Sequence, residues 1–290
     1  MTSPLTLPPP LVAQLVKLAL SEDLGQAGDV TTDAIVPESA LGNARIVARE
    51  NGVIAGLELA EAAFKAFDPE LHFNPIVEDG EAVAAGDGVA DIHGKARAIL
   101  TGERVALNFL GRLSGIASLT AQFVERVEGT GATIIDTRKT TPGLRALEKF
   151  AVLAGGGRNH RFGLFDAVLV KDNHIAEAGG IEPALAAIER HLGEKAGRKL
   201  RIEVEVDRLD QLEEALTQPI DAVLLDNMDP ETLKEAVRMV RERAPKVQTE
   251  ASGGVTLETV RGIAETGVDF ISVGALTHSP RNLDLSLEWR

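Results

Sequence analysis

Up to about residue 110, apolar positions recur in short, mixed patterns. Pro8, Pro9 and Pro10 lead into an apolar-periodic stretch, 11–20, that predicts a helix ending near Gly25. Residues 43–49 set Ala44, Ile46 and Ala48 against Arg45, Val47 and Arg49, a strand-like alternation. The stretch 58–67 predicts a short helix stopped by Asp68 and Pro69, and the glycine-punctuated 78–94 predicts short strands joined by tight turns. From Ala96 to about Glu128 the spacing is helical, with interruptions expected at Gly111 and Gly115. This part reads as α+β with a small sheet.

After Gly131 the texture changes. Short β-branched runs at 133–136, 166–171, 201–206, 221–226, 247–252 and 269–274 alternate with helical patterns at 142–154, 183–192, 210–216, 230–243 and 257–265. Six such strands joined by helices predict a parallel α/β sheet with right-handed crossovers, buried on both faces. An ordinary barrel of this kind has eight strands. Six imply a smaller or incomplete barrel, or an open doubly wound sheet. The expected division is 1–115 for the first domain and 116–275 for the second, with the tail 276–290 packing back on the first.

Composition narrows the possibilities. The 290 residues carry 30 Lys and Arg against 44 Asp and Glu, a formal charge of −14, with 44% hydrophobic residues. That is globular, and too acidic for a dedicated nucleic-acid binder. There is no cysteine, which excludes disulfides, thiolate metal sites and cysteine nucleophiles. No apolar run approaches a membrane span, and the first ten residues lack a signal-peptide pattern, so the expectation is a cytoplasmic protein.

Parallel α/β architectures carry their sites at the carboxyl ends of the strands. Here those ends read Asp136-Thr137-Arg138-Lys139, Lys171-Asp172-Asn173-His174, Glu203 and Glu205, Asp226-Asn227, Glu250-Ala251-Ser252-Gly253-Gly254, and Gly274-Ala275. From Asp136 to Lys171 there are seven cations and three anions, a basic window inside an acidic chain. Arg138, Lys139, Arg161 and Lys171 are read as anion-binding, and Arg145 and Lys149 as solvated helix residues. Gly155, Gly156 and Gly157 before Asn159, His160 and Arg161 would let a ligand approach the backbone. His160 is a candidate hydrogen-bond donor or general acid, or a structural histidine. Ser252-Gly253-Gly254 opens a predicted helix, and Gly274 gives a second close backbone approach, together a candidate phosphate site. Glu205 and Asp226 suit Mg2+, which takes few protein oxygens and keeps water and substrate phosphates. Glu203 shares the alternation with Glu205, so which of the two is the ligand stays open. No HExxH or His pair at i, i+4 points to zinc.

The run 136–174, DTRKTTPGLRALEKFAVLAGGGRNHRFGLFDAVLVKDNH, followed by EVEV, LLDN, ASGGV and SVGALTHS, closely resembles the nicotinate-nucleotide diphosphorylase (carboxylating) family. That family is quinolinate phosphoribosyltransferase, a type II phosphoribosyltransferase. The stretches 22–32 and 102–118 resemble it too, so nearly the whole chain is covered. The resemblance implies an N-terminal α/β sandwich, an incomplete barrel of six to seven strands, and a homodimer with shared active sites. It also implies conversion of quinolinate and phosphoribosyl diphosphate to nicotinate mononucleotide, diphosphate and CO2, on the de novo route to NAD. Carried over by position, Thr137, Arg138, Lys139, His160, Arg161 and Lys171 line the substrate site, and Glu205 and Asp226 serve Mg2+ and the ribose. Ser252, Gly253, Gly254, Val273, Gly274 and Ala275 hold phosphate, and Arg104 reaches the neighbouring subunit's site. The residues leave three rivals: a paralogous transferase with another acceptor such as nicotinate, a barrel lyase using Lys171 as a Schiff base, and a non-catalytic phosphate sensor.

Overall fold

The computed structural model describes residues 6–194 and 200–290, which form two compact units. The first comprises the chain up to Ala121, Thr140–Gly156 and Leu276–Arg290; the second comprises Gln122–Lys139 and Gly157–Ala275.

In the first unit, prolines at the start of α1 (Pro9–Leu24) supply the φ a helix needs where no N–H is missed, and Gly25 at φ 52 ends it. Val12, Val16 and Leu20, one turn apart, are its buried stripe. Then come α2 (Val30–Ile35), capped by Asp29 on the Thr32 N–H, and β1 (Leu41–Ala48). β2 (Gly52–Val53), α3 (Leu57–Lys65), β3 (His72–Pro75), β4 (Ala82–Val83) and β5 (Gly88–Lys95) follow. Phe64 of α3 stacks on Phe73 of β3, with ring centroids 6.2 Å apart, pinning helix to sheet.

The helix α4 (Ala96–Arg126) runs unbroken through Gly111 and Gly115 and passes from the first unit into the second at Ala121. The expected interruptions do not occur. The two glycines serve packing instead: a β-carbon at Gly111 would stand 3.0 Å from Leu283 O, and one at Gly115 would run into Arg281 O. Ser114 and Ser118 on the same helix accept the Ala55 and Val53 N–H groups at 2.9 and 2.8 Å.

The second unit is built on β6 (Thr133–Ile135), β7 (Val168–Val170), β8 (Ile202–Val206), β9 (Ala222–Asp226), β10 (Gln248–Ser252) and β11 (Phe270–Ser272). These pair in parallel in the order β6-β11-β10-β9-β8-β7. β6 and β7, consecutive in the chain, occupy the two edges rather than closing on each other. A single parallel bridge from Arg158 to Ile135 lies on the free side of β6. The sheet is an incomplete barrel of six strands plus that one bridging residue. In chain order, α5 (Arg145–Ala154) follows β6 but belongs to the first unit. The crossovers are α6 (Asp172–Ala178) and α7 (Ile181–Glu194), then α8 (Leu209–Ala215), α9 (Pro230–Arg243) and α10 (Val260–Ala264). After α11 (Ala275–His278), β12 (Leu285–Trp289) pairs antiparallel with β1, extending the first unit's sheet to β12-β1-β5-β3.

Candidate active site

In the second unit, strand register decides which side chains meet. Glu205 pairs with Leu224, Leu224 with Glu250, and Asp226 with Ser252. Successive strand residues alternate faces. Glu203, Glu205, Asp226, Glu250 and Ser252 therefore share one face of the sheet, with Asp226 and Ser252 at its carboxyl end.

At that end, Lys171 Nζ donates to Glu205 Oε2 at 2.9 Å. Asp226 Oδ2 accepts from Asn227 Nδ2 at 2.7 Å. Each carboxylate thus commits one oxygen to a neighbour and keeps the other available, a donor set of hard oxygens that fits Mg2+. Asn227 is the one residue other than glycine with positive φ (55°) among the described residues. Its N–H donates to Ser252 O at 2.8 Å, tying the end of β9 to the loop after β10.

That loop contains Gly253 at φ 98 and Gly254 at φ 59. A β-carbon on Gly253 would strike the Asn227 side-chain oxygen. The regular helix after it begins at Val260, later than the sequence indicates, because Thr256 and Thr259 form a turn of their own in which the Thr256 N–H is taken by Thr259 Oγ1 at 3.0 Å. The phosphate reading therefore rests on the glycine loop and not on a helix start at Thr256. Val273 donates its N–H to Ile135 O at 2.9 Å and buries its side chain, so the second loop's share falls to Gly274 and Ala275.

Thr137 Oγ1 accepts the Lys139 N–H at 3.0 Å, turning the chain just past β6. Arg138 and Arg161 are half-buried neighbours. Burial and then the charge of Arg138 lower the Arg161 pKa, while Glu203, Asp166 and Glu205 pull the other way. The Arg161 guanidinium donates to Ala167 O at 3.3 Å. Two partly buried guanidiniums that feel each other's charge are a ready partner for a ligand with two carboxylates.

His160 lies deeper. Its Nε2 is 3.0 Å from Glu203 Oε2 and 3.3 Å from Glu250 Oε2, and its Nδ1 accepts the Arg161 N–H at 2.7 Å. Burial disfavours a charged imidazole and the two carboxylates raise its pKa, while the N–H that Nδ1 accepts from Arg161 opposes charging of the ring. Burial also raises Glu250. Among the described residues these three form a group whose ligand atoms fall within 4.8 Å of one another, a spacing a metal could use. The Arg161 N–H on Nδ1 argues otherwise: it leaves the ring proton on Nε2, where a metal would need a lone pair. The cluster is a proton bridge, and both ring nitrogens face protein rather than ligand. The sequence places Glu250 in the run that ends its strand but gives it no role; the one available signal is a carboxylate inside a strand buried on both faces.

One sequence expectation changes. Lys149 is not solvated but 2% exposed, because α5 buries Leu147, Glu148, Phe150, Ala151 and Val152 as well and turns almost no face to water. Gly155 makes a close approach to the α4 backbone, where a β-carbon would meet Ala117 O. Arg104 belongs to the first unit and keeps its side chain 64% exposed.

Residues 29–114 match the family described as quinolinate phosphoribosyl transferase, N-terminal domain, and residues 116–288 match its C-terminal domain. The protein named "Probable nicotinate-nucleotide pyrophosphorylase [carboxylating]" in Synechocystis is 45% identical, covering 99% of this chain and 96% of its own. A mitochondrial quinolinate phosphoribosyltransferase (decarboxylating) of Nicotiana tabacum is 44% identical over 95% of this chain and 81% of its own. The solved nicotinate-nucleotide pyrophosphorylase of Francisella tularensis superposes over 100% of both chains with a TM-score of 0.92 at 37% identity. On the strength of both domains, this chain belongs to the quinolinate phosphoribosyltransferase family.

Proposed function

We infer that the chain transfers phosphoribose from phosphoribosyl diphosphate to the ring nitrogen of quinolinate, releasing diphosphate and CO2 and forming nicotinate mononucleotide for NAD synthesis. The observation that carries this, beside the family, is the half-buried pair Arg138 and Arg161, electrostatically coupled in the unit whose sheet bears Glu205 and Asp226 on one face. A dicarboxylate needs paired planar cations, and a diphosphate leaving group needs a cation held by few protein oxygens.

In the reaction, the pyridine nitrogen attacks C1′ of the ribose as the bond to diphosphate breaks, through an oxocarbenium-like transition state. Arg138 and Arg161 clamp the ring carboxylates, and Lys139 and Lys171 meet leaving-group charge. Glu205 and Asp226 would hold Mg2+, which supplies charge neutralisation on the diphosphate. The loops at Ser252-Gly253-Gly254 and Gly274-Ala275 would receive the substrate's 5-phosphate. Once the ring nitrogen is alkylated and positive, the C2–carboxylate bond breaks, its electron pair stays at C2 beside that charge, and C2 then takes a proton. Decarboxylation therefore follows transfer. Trapping the dicarboxylated nucleotide supports this order; CO2 release without phosphoribosyl diphosphate contradicts it.

The working unit is a homodimer in which Arg104 of one copy completes the other's site, as its exposed guanidinium allows. Among the described residues no helix is long and apolar enough to cross a membrane, and the absence of cysteine suits a reducing compartment such as the cytoplasm. The Schiff-base reading loses support. A nucleophilic lysine is desolvated or crowded by cations, whereas Lys171 is exposed and paired with a carboxylate. Incubating the purified protein with phosphoribosyl diphosphate and either quinolinate or nicotinate tests the acceptor.

A further inference from the structure

The reaction outlined above gives no task to the buried carboxylates behind the arginines. The Glu203 and Glu250 side chains are 4% and 2% exposed and come from strands separated in the sheet by β9. Both reach the same atom, His160 Nε2, at 3.0 and 3.3 Å. The other ring nitrogen holds the Arg161 N–H, and the His160 N–H is held by Asp136 Oδ1 at 2.9 Å, on a residue with no exposure. Two consecutive backbone N–H groups, of His160 and Arg161, are therefore fixed by side chains from the end of β6 and, through the imidazole, from β8 and β10.

Stability alone does not account for the arrangement. Two buried carboxylates are costly to desolvate, and apolar residues of the same shape would serve a core as well. Glu203 Oε1, moreover, is buried with no hydrogen-bond partner. What the cluster does secure is direction. Arg161 must hold its guanidinium beside the like charge of Arg138 before any ligand arrives, and Glu203 is among the anions that offset this repulsion. We propose that Glu203 and Glu250 are positioning residues for the dicarboxylate: through the His160 ring they set the backbone, and so the guanidinium, of Arg161. This rests on quinolinate being the acceptor.

Steady-state kinetics with both substrates varied tests it. Glu203→Ala and Glu250→Ala should raise KM for quinolinate about tenfold or more, while KM for phosphoribosyl diphosphate moves by less than about twofold. Glu250→Gln keeps an oxygen for the Nε2–H and should bring the quinolinate KM back to within about threefold of wild type. Both KM values rising together, an unmoved quinolinate KM, or a Gln variant as poor as Ala would overturn the proposal. Should the alanine variants not fold, wild-type protein labelled with 15N-histidine decides. One ring should be an Nε2–H tautomer with its proton protected from solvent, and the absence of such a ring overturns the proposal. Wild-type protein inert toward quinolinate defeats the acceptor reading itself, whereas active wild type with insensitive variants defeats this inference alone.

Discussion

Lys171 Nζ and Glu205 Oε2 meet at 2.9 Å, an ion pair between the end of β7 and the neighbouring strand β8. Without ligand, the lysine occupies one oxygen of a carboxylate proposed to bind Mg2+. Lys171→Met should therefore tighten Mn2+ binding to the protein, read by titration calorimetry, while kcat/KM falls about 100-fold because leaving-group charge loses a partner. Weaker Mn2+ binding in that variant would mean that Glu205 is not the cation's ligand.

Arg138→Ala removes one half of the proposed carboxylate clamp. A charge that holds a desolvated carboxylate is worth roughly 2–5 kcal/mol, so kcat/KM for quinolinate should fall by about 30-fold or more. Near-normal turnover in steady-state assays would remove Arg138 from the site.

Gly253 combines a φ of 98° with a β-carbon position blocked by Asn227, so Gly253→Ala must move the loop. KM for phosphoribosyl diphosphate should rise with little change in KM for quinolinate. Gly262, within α10 and with open space at its β-carbon, is the control. Gly262→Ala should leave kinetics alone and stabilise by about 0.4–1 kcal/mol in denaturant titrations.

Arg104→Ala should inactivate the protein alone but recover part of the activity when subunits are exchanged with Lys171→Ala, since one composite site is then intact. No recovery under demonstrated exchange places Arg104 outside the shared site.

Much of the second unit was legible because short β-branched runs alternating with helical patterns mark parallel strands, and all six strands appear where those runs lie. Their carboxyl ends could then be read directly for chemistry. The alternation of Glu203 and Glu205 even gave their common face, though not their separate partners, His160 and Lys171. Those partnerships depend on register across β8, β9 and β10, which no local pattern encodes. Gly111 and Gly115 misled because helix propensity weighs a glycine as a break, whereas here each makes room for a backbone carbonyl of the tail. α6 went unread since seven residues, none of them buried, carry no amphipathic stripe. Lys149 misled for the opposite reason: a charged residue at helical spacing reads as solvated unless the whole helix is enclosed.

The most direct measurement uses purified protein, Mg2+, phosphoribosyl diphosphate and quinolinate labelled in its 2-carboxylate. Labelled CO2 and diphosphate should appear in equal amounts, with no diphosphate when nicotinate replaces quinolinate. Diphosphate release with nicotinate and none with quinolinate would contradict the proposed function.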